Sequence, residues 1–249
     1  MVNILLSGAN GHMGRVIADI VGGREDCTIV AGIDINTDQY GPFPIFSCPQ
    51  DCRVKADVII DFSHPAALDG LLSYAWETKT PLVVATTGYS SEQIAQIKAA
   101  ADNIPVFFTF NMSLGINLLV ELAKKATEVL DGQFDIEIVE KHHNQKIDAP
   151  SGTAIMLANA INETAGNQYE YVYDRHAQRK KRDKKEIGMH AIRGGTIVGE
   201  HEVIFAGRDE IITLSHSART KEVFAVGAVN AAVFLKGKPA GLYDMSQLI

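Results

Sequence analysis

The sequence predicts an α/β protein, with a Rossmann-like, doubly wound parallel sheet followed by a second domain of α+β type. Before residue 110, short runs rich in Val and Ile alternate with segments of helical period, as in βαβ units. These runs are apolar on both faces, which is typical of strands buried between two layers of helices. After about Leu114 the alternation stops and longer helices and strands follow, which predicts the second domain.

Five strands and three helices are predicted in the first half of the chain. The strands are VNILLS (2–7), TIVAGID (28–34), ADVIIDF (56–62), PLVVAT (81–86) and IPVFFT (104–109). The helices span 12–21, 65–77 and 91–101. Since a helix separates most consecutive strands, we expect the strands to run parallel.

The second half of the chain is predicted to combine helices with antiparallel strands. A helix covers 115–130, the strand FDIEIVEKHH follows, and another helix opens at Ser151. The segments TIVGEHEVIFAG and DEIITLSHSA meet at the turn GRDE, which predicts an antiparallel hairpin. A last, Ala-rich helix is expected over 222–235.

Composition and charge disfavour several classes of protein. The net charge of −7, from 23 basic and 30 acidic side chains, disfavours nucleic acid as a partner. The odd count of cysteines (Cys27, Cys48, Cys52) indicates a reducing compartment, and the loop of Cys48 and Cys52 offers no further metal ligand of the His or Cys type. The sequence shows neither a signal peptide nor an apolar run of membrane-spanning length. We therefore expect a cytoplasmic protein with no metal, nucleic-acid or membrane partner.

One segment, RHAQRKKRDKK at 175–185, is strongly basic. A solvated, mobile loop is its simplest interpretation, and binding of phosphates, carboxylates or a nucleic-acid backbone is the alternative. No aromatic residue stands between the charges, which argues against single-stranded nucleic acid.

Three glycines follow the first predicted strand in the segment LLSGANGHMGRV. Gly8, Gly11 and Gly14 have the spacing G-x-x-G-x-x-G, a variant of the dinucleotide-binding fingerprint. Such glycines permit a tight turn, let the backbone approach a pyrophosphate and allow close packing of helix and strand. The N-terminus of the next helix offers N–H donors and partial positive charge to phosphates. The motif predicts a dinucleotide site.

Asp34 ends the second predicted strand, where an acidic side chain accepts hydrogen bonds from the adenosine ribose. A carboxylate here repels a 2′-phosphate, and the following Ile35 and Asn36 bring no cation. The sequence therefore predicts a preference for NADH, or use of both NADH and NADPH, over strict use of NADPH.

Two further loops follow predicted strands and are expected at the same edge of the sheet. In ATTGY, residues Thr86, Thr87 and Gly88 are expected near the nicotinamide ribose. In TFNMSLG, Asn111 is expected to reach the carboxamide.

The stretch EKHHNQKIDAPSGTA, residues 140–154, concentrates cations and hydrogen-bond donors. His142 and His143 end a predicted strand and are expected to point to opposite sides of it. Lys146 follows in a turn, where its ammonium can neutralise a carboxylate or donate a proton. The amides of Gly152 and Thr153 begin a helix and form an anion site. The stretch predicts a site for a small substrate with more than one carboxylate, and zinc binding is disfavoured because no third histidine lies at ligand spacing.

A family resemblance extends over essentially the whole chain. It is carried by GANGHMG, ATTG, FNMSLG, EKHHNQKIDAPSGTA, IRGGTIVGEH and GLYDM, and it is to the dihydrodipicolinate reductase (4-hydroxy-tetrahydrodipicolinate reductase) family. The resemblance implies NAD(P)H-dependent reduction of a cyclic dicarboxylate imine to tetrahydrodipicolinate, in the diaminopimelate route to lysine. It also implies a homotetramer, with a dinucleotide-binding domain over 1–113 and 221–249 and a substrate-binding and tetramerisation domain over 114–220.

The same resemblance implies roles for individual residues. His142 is the implied acid/base residue and Lys146 the implied proton donor. The implied ligands of the substrate carboxylates are His143, Lys146, Gly152 and Thr153. The implied cofactor-binding residues are Gly8, Ala9, Asn10, Gly11, His12, Met13, Asp34, Ala85, Thr86, Thr87, Thr109, Phe110, Asn111 and Met112. Two of these depart from the family pattern, since Ala85 replaces a common glycine and Met112 an aromatic residue.

Two questions stay open at the level of sequence. The residue types do not decide whether His142 or Lys146 supplies the proton. The alternative functions are another nicotinamide-dependent reductase of a small amino dicarboxylate and a non-catalytic redox or metabolite sensor. Since a sensor needs no proton donor, the cluster of His142, His143 and Lys146 favours an enzyme.

Overall fold

The computed structural model describes residues 1–248. The chain forms two compact units, Met1–Ser113 with Glu222–Ile249, and Leu114–Lys221. The first contains a parallel sheet flanked by helices and the second a smaller mixed sheet, which confirms the predicted fold class. None of the helices within residues 1–248 combines the length and apolar character needed to cross a membrane.

The first unit is built on a seven-stranded sheet in which all strand pairs are parallel. Its strands, numbered in chain order, are β1 (Val2–Ser7), β2 (Cys27–Ile33), β3 (Ile45–Phe46), β4 (Val58–Asp61), β5 (Leu82–Val84), β6 (Pro105–Phe108) and β12 (Gly241–Tyr243). Their order in the sheet is β12-β6-β5-β4-β1-β2-β3. The connections reverse direction between β1 and β4, and open α/β sheets hold their ligands at such a switch point.

Four helices belong to this sheet. They are α1 (His12–Gly22), α2 (Leu68–Thr78), α3 (Ser91–Ala100) and α6 (Glu222–Leu235). Leu5, Ile59 and Leu82 pack in one buried cluster with Leu71 of α2 and Ile97 of α3. Because side chains alternate along a strand, the neighbouring buried residues point to the opposite face, and α6 packs there beside α1. The sheet is therefore covered on both faces, as its apolar strands predict.

The second unit is a five-stranded mixed sheet with two helices. Its elements are α4 (Leu114–Leu130), β7 (Asp135–His142), α5 (Gly152–Thr164), β8 (Glu170–Val172), β9 (Glu186–Arg193), β10 (Gly199–Ala206) and β11 (Ile211–Ala218). The strand order is β11-β10-β7-β9-β8. β7 pairs parallel with β9 and antiparallel with β10, and β10 and β11 form the predicted hairpin. The prediction of the hairpin is confirmed.

The buried face of β7 changes character along the strand. Ile136 and Ile138 lie in the apolar core that α4 and α5 cover. The next two positions of the same parity, Glu140 and His142, are also buried. A polar pair thus ends the row of core side chains, and this pair needs hydrogen-bond partners inside the protein.

Four strands were not predicted from the sequence, namely β3, β8, β9 and β12. The most consequential is β9, which directly follows the basic segment and lies beside β7. Its register places His142 opposite Arg193. Parallel pairing joins residues far apart in sequence, and no local sequence pattern indicates it.

The basic segment 175–185 is tied to this sheet by two of its arginines. Arg175 donates to Glu137 Oε1 (2.9 Å) and Glu186 Oε2 (2.8 Å). Arg182 donates to Glu137 Oε1 (3.0 Å) and Asp135 Oδ1 (3.0 Å). The hydrogen bond from Arg175 holds the pKa of Glu186 below its usual value. These two arginines bind the ends of β7 and β9, so the solvated-loop interpretation does not describe them.

Candidate functional site

The glycine loop, residues 8–14, leaves β1 at its carboxyl end. The amides of Gly8 and Ala9 donate to Ile33 O (2.9 and 3.2 Å), which joins the loop to the end of β2. Gly8 has φ +78, and a Cβ at this position would collide with the carbonyl of Phe62. Glycine is required here because the backbone turns in the left-handed region while passing close to the end of β4.

Gly14 lies in the first turn of α1, directly against the glycine loop. A Cβ at position 14 would lie 2.6 Å from Ala9 O and would also overlap Gly8 O. We expect Gly14→Ala to lower the free energy of unfolding by about 1–3 kcal/mol, because two backbone carbonyls must move. The displaced loop should also raise KM for the dinucleotide. Urea denaturation and initial rates measure the two effects.

The matched control for this variant is Gly22→Ala at the other end of α1. A Cβ at Gly22 meets nothing within 4 Å. Alanine favours the helical state over glycine, so this control is expected to leave stability unchanged or slightly higher. Equal stability of the two variants would contradict the packing role assigned to Gly14.

Asp34 joins the loop that follows β2 to the glycine loop. Its Oδ2 accepts the amide of Asn10 (2.8 Å) and its Oδ1 accepts the amide of Asn36 (3.0 Å). Arg15 donates to Asn10 Oδ1 (3.0 Å) and stacks on Tyr40 at 4.6 Å from the ring centre. A cation therefore stands beside this loop. Sequence reasoning missed it because Arg15 comes from α1 and does not follow Asp34 in the chain.

The ATTGY loop after β5 is organised by a buried carboxylate. Asp61, at the end of β4, is 1% exposed. It accepts hydrogen bonds from Thr86 Oγ1 (2.7 Å), Tyr89 Oη (3.0 Å) and Ser63 Oγ (2.5 Å). Burial and the nearby charge of Asp61 raise the pKa of Tyr89, so its phenol stays a donor. Asp61 was not predicted, because a single acidic residue at a strand end carries no distinguishing pattern.

The loop after β6 is held by an internal hydrogen bond and by packing against α6. Thr109 Oγ1 lies 3.4 Å from the main-chain oxygen of Asn111. A Cβ at Gly227 of α6 would overlap the carbonyl of Met112, so the missing side chain lets the helix pack against this loop. Phe110 is largely exposed at the same edge. The predicted cofactor residues therefore lie in loops at the carboxyl edge of the first sheet and in the first turn of α1.

His142 ends β7 beside Glu140. Nδ1 of His142 lies 2.6 Å from Glu140 Oε2. Glu140 is 1% exposed and also accepts both terminal nitrogens of Arg193 (2.8 and 2.7 Å) and the amide of Ser151 (3.0 Å). Burial raises the pKa of Glu140, but the hydrogen bonds from Arg193, His142 and Ser151 outweigh it, and the pKa lies below its usual value. Glu140 is thus a buried anion with four donors.

His201 of β10 closes the other side of this cluster. Its ring packs edge to face on His142, with 5.2 Å between the ring centres. Its Nε2 lies 3.1 Å from Ser151 Oγ, and the same hydroxyl accepts the amide of Ala154 and caps α5. Burial, followed by the nearby charge of His142, lowers the pKa of His201 to about 4. His201 is therefore neutral near pH 7 and anchors the start of α5.

The loop between β7 and α5 carries Lys146. Its Nζ lies 2.8 Å from Asp148 Oδ1, and its amide donates to His143 O (3.2 Å). The hydrogen bond from Lys146 lowers the pKa of Asp148. The main-chain oxygen of Asp148 accepts Arg193 Nη2 (2.7 Å). Arg193 therefore fixes both Glu140 and the loop that presents Lys146.

The predicted substrate residues lie at one end of the second sheet. His142 ends β7, His143 and Lys146 lie in the following loop, and Gly152 and Thr153 are the first residues of α5. The strand stops at His142, so strand alternation does not set the direction of His143.

Four residues complete the cluster without having been assigned roles from the sequence. They are Glu140, Ser151, Arg193 and His201. Glu140 had a usable signal, since it stands two positions before His142 and strand side chains repeat every second residue.

Comparison with known proteins identifies relatives over the full length. Family models described as "Dihydrodipicolinate reductase, N-terminus" and "Dihydrodipicolinate reductase, C-terminus" match residues 2–112 and 115–249. The 4-hydroxy-tetrahydrodipicolinate reductase of Caldanaerobacter subterraneus subsp. tengcongensis is 50% identical, with 100% of this chain and 98% of the relative covered. The enzyme of the same name from Clostridium tetani is 49% identical, with 100% and 97% covered.

A solved structure gives the same result for the fold. Dipicolinate-bound dihydrodipicolinate reductase from Paenisporosarcina sp. TG-14 matches with a TM-score of 0.79 at 24% sequence identity, covering 98% of this chain and 97% of that chain. Together, the two family models account for nearly every residue, and relatives of about half identity align along the entire sequence. The chain belongs to the dihydrodipicolinate reductase family.

Proposed function

We propose that the chain is an NAD(P)H-dependent reductase of a cyclic dicarboxylate imine, which it converts to tetrahydrodipicolinate in the diaminopimelate route to lysine. Full-length relatives of about 50% identity carry the name 4-hydroxy-tetrahydrodipicolinate reductase. The observation that carries the proposal is His142 bonded to the buried Glu140, in one cluster with the Lys146 loop and the start of α5. This cluster combines a proton donor with cationic and N–H groups that suit carboxylates.

In the proposed reaction, this end of the second sheet binds the substrate. A carboxylate is favourable at the N-terminus of α5, and we propose that Gly152 and Thr153 in its first turn hold one there. Lys146 and His143 supply the charge and hydrogen bonds for the second carboxylate. The match with the dipicolinate-bound enzyme of Paenisporosarcina sp. TG-14 supports a small dicarboxylate as the substrate.

The carboxyl edge of the first sheet is the proposed cofactor site. The glycine loop, the carboxylate of Asp34 and the loops after β5 and β6 are the groups that would hold a dinucleotide. When bound, the nicotinamide supplies the hydride. The residues of the second unit then deliver a proton, and His142 is placed to do so because its Nδ1 is engaged by Glu140 and Nε2 is left for the substrate.

The direct test is NADH oxidation, followed at its absorbance band, with substrate generated in place from pyruvate and aspartate semialdehyde. We expect rapid oxidation that depends on both precursors and is inhibited by pyridine-2,6-dicarboxylate. Oxidation no faster than in their absence would reject the proposal and would leave a dinucleotide-binding sensor as the better interpretation.

Cofactor preference gives a second prediction from Asp34. We expect kcat/KM for NADH to equal or exceed that for NADPH, because a carboxylate just after β2 would repel a 2′-phosphate held beside it, while Arg15 beside the loop allows some use of NADPH. Asp34→Asn should raise the NADPH-to-NADH ratio of kcat/KM by about tenfold, or ~1.4 kcal/mol. The matched control is Asp38→Asn on the exposed part of the loop. Strong NADPH preference in the wild type would rule the idea out.

We also propose a homotetramer in the cytoplasm. β11 is an edge strand and exposes Ile211 and Ile212, and unpaired apolar edges favour pairing with another copy. The mass of the assembly in solution tests this. The three cysteines are free thiols, as expected in a reducing compartment.

A further inference from the structure

The hydrogen bonds around Glu140 determine which nitrogen of His142 carries a proton. The terminal nitrogens of Arg193 and the amide of Ser151 act only as donors, so Glu140 accepts from all of them. A carboxylate that is ionised can also only accept from His142 at 2.6 Å. Nδ1 of His142 must therefore be protonated, and Nε2 is the nitrogen that takes up and releases a proton.

The surroundings leave that nitrogen available. Among residues 1–248, no hydrogen bond reaches Nε2 of His142. A Cβ at Gly199 of β10 would lie 3.2 Å from Nε2, so the absence of a side chain there keeps the space beside it open. Within residues 1–248, the one hydrogen bond of the ring is thus that of Nδ1 with Glu140, and any change in Glu140 acts directly on the chemistry of Nε2.

We propose that Glu140 and Arg193 form a positioning pair that sets the tautomer and the proton affinity of His142 during the reduction, with opposite effects on that affinity. The inference rests on the proposed function. Glu140 holds Nδ1–H and stabilises the protonated ring, because its negative charge is in direct contact with it. Arg193 neutralises part of that charge and thereby limits the stabilisation.

The other charged groups near the ring come from several elements. Lys146 in the following loop and His142 itself add positive charge near His201, whereas burial lowers the pKa of His216 on β11. His201 on β10 faces the ring and is neutral near pH 7. Among Glu140, Lys146, His201 and His216, Glu140 alone favours a protonated His142. Removing Glu140 must therefore lower the proton affinity of His142, and removing Arg193 must raise it.

Since the proposed reaction requires protonated His142, each variant is expected to move the pH profile of kcat in a definite direction. In Glu140→Gln the cations remain and the anion is lost, so the protonated ring is less stable. The decrease of kcat with rising pH therefore moves to lower pH. In Arg193→Gln the carboxylate remains with one less cation, so the protonated ring is more stable. The decrease of kcat with rising pH therefore moves to higher pH. The displacement in Glu140→Gln is expected to be about 1–3 pH units, the usual effect of a charge in direct contact, and that in Arg193→Gln to be smaller, because Arg193 acts on the ring through Glu140.

The tautomer gives a readout that does not depend on turnover. In Glu140→Gln, an amide oxygen at the position of Oε1 still accepts from Ser151 and from Nη2 of Arg193. The amide N–H₂ then takes the position of Oε2, where Nη1 of Arg193 loses this acceptor and where the N–H₂ group faces Nδ1 of His142. That nitrogen then becomes the acceptor and the proton moves to Nε2. Nitrogen-15 NMR of the neutral rings should show Nδ1–H for the wild type and Arg193→Gln, and Nε2–H for Glu140→Gln. The spectrum of His142→Ala identifies the signal of His142.

The experiment is therefore a pH profile of kcat, together with this NMR measurement, on the wild type and both variants. Glu137→Gln is the matched control, since Glu137 is on the same strand but pairs with Arg182 and His190, and its profile should not move. Opposite displacements and the tautomer change support the pair. Displacements of the same sign, no displacement, or Nδ1–H in Glu140→Gln would overturn it.

Failure of a variant to fold and failure of the proposed function can each be told apart from failure of this inference. If Glu140→Gln does not fold, Arg193→Gln decides the question, because a shift of its profile to lower pH or no shift contradicts the inference. If the wild type does not reduce the substrate, the proposed function fails, while the NMR comparison still tests whether Glu140 sets the tautomer.

Discussion

Replacing His142 by alanine is expected to lower kcat by about two to four orders of magnitude, the usual loss when a general acid is removed. His142 is held by Glu140 at 2.6 Å and presents Nε2 as its exchangeable nitrogen. In the proposed reaction, the protonated ring would also stabilise the negative charge that develops when hydride adds to the conjugated imine. KM for NADH should change little, because the proposed nucleotide-binding loops belong to the first unit. Steady-state kinetics with both substrates varied measures these parameters.

His190→Ala is the matched control for this variant. His190 is a histidine of the same sheet whose Nε2 lies 2.8 Å from Glu137, and its loss should leave kcat close to the wild type. Thermal unfolding of both variants checks that any loss of turnover comes from chemistry, since His142→Ala also removes one donor from the buried Glu140. Near-normal turnover in folded His142→Ala would exclude His142 as the acid.

The parts of the fold that local sequence patterns indicate could be predicted. The helix over 222–235, the hairpin of β10 and β11 and the five main strands of the first sheet follow from periodicity and turn residues. β9 was not predicted, because its first residues follow a run of basic side chains and its partner β7 lies more than forty residues earlier. Two-residue β3 is too short to show any alternation.

The reactive groups of the site could be predicted from the sequence, but the residues that hold them in position could not. His142 and Lys146 are recognisable from residue type and from the family motif. Arg193 is not, because its contact with Glu140 spans 53 positions and depends on the parallel register of β7 and β9. Asp61 is a similar case at the other sheet, because its hydrogen bonds with Thr86 and Tyr89 span 25 and 28 positions. Sequence motifs identify the groups that react, whereas the residues that set their charge and direction come from pairing between distant strands.

Lys146→Ala is expected to lower kcat by about two to four orders of magnitude and to raise KM for the dicarboxylate. Lys146 is held by the exposed Asp148 at 2.8 Å, in a loop that Arg193 anchors through the main-chain oxygen of Asp148. An ammonium in this position has a partner that a substrate carboxylate can replace at little cost, because exposed ion pairs contribute little to stability. Lys141→Ala is the matched control and should turn over normally, since Lys141 lies on β7 and pairs with Glu200 and Glu202 of β10.

Lys146→Arg separates binding of a carboxylate from donation of a proton. A guanidinium keeps the positive charge but, with a pKa above ~12, does not release a proton near neutral pH. If Lys146 is a donor in the reaction, arginine restores KM for the dicarboxylate and leaves kcat low, and this is the result we expect. Recovery of kcat as well as KM would restrict Lys146 to holding the substrate. His142, positioned by Glu140, would then be the single acid of the reaction instead of acting together with Lys146, and the pH dependence of the Lys146→Arg variant should follow the charge on the pair of His142 and Glu140.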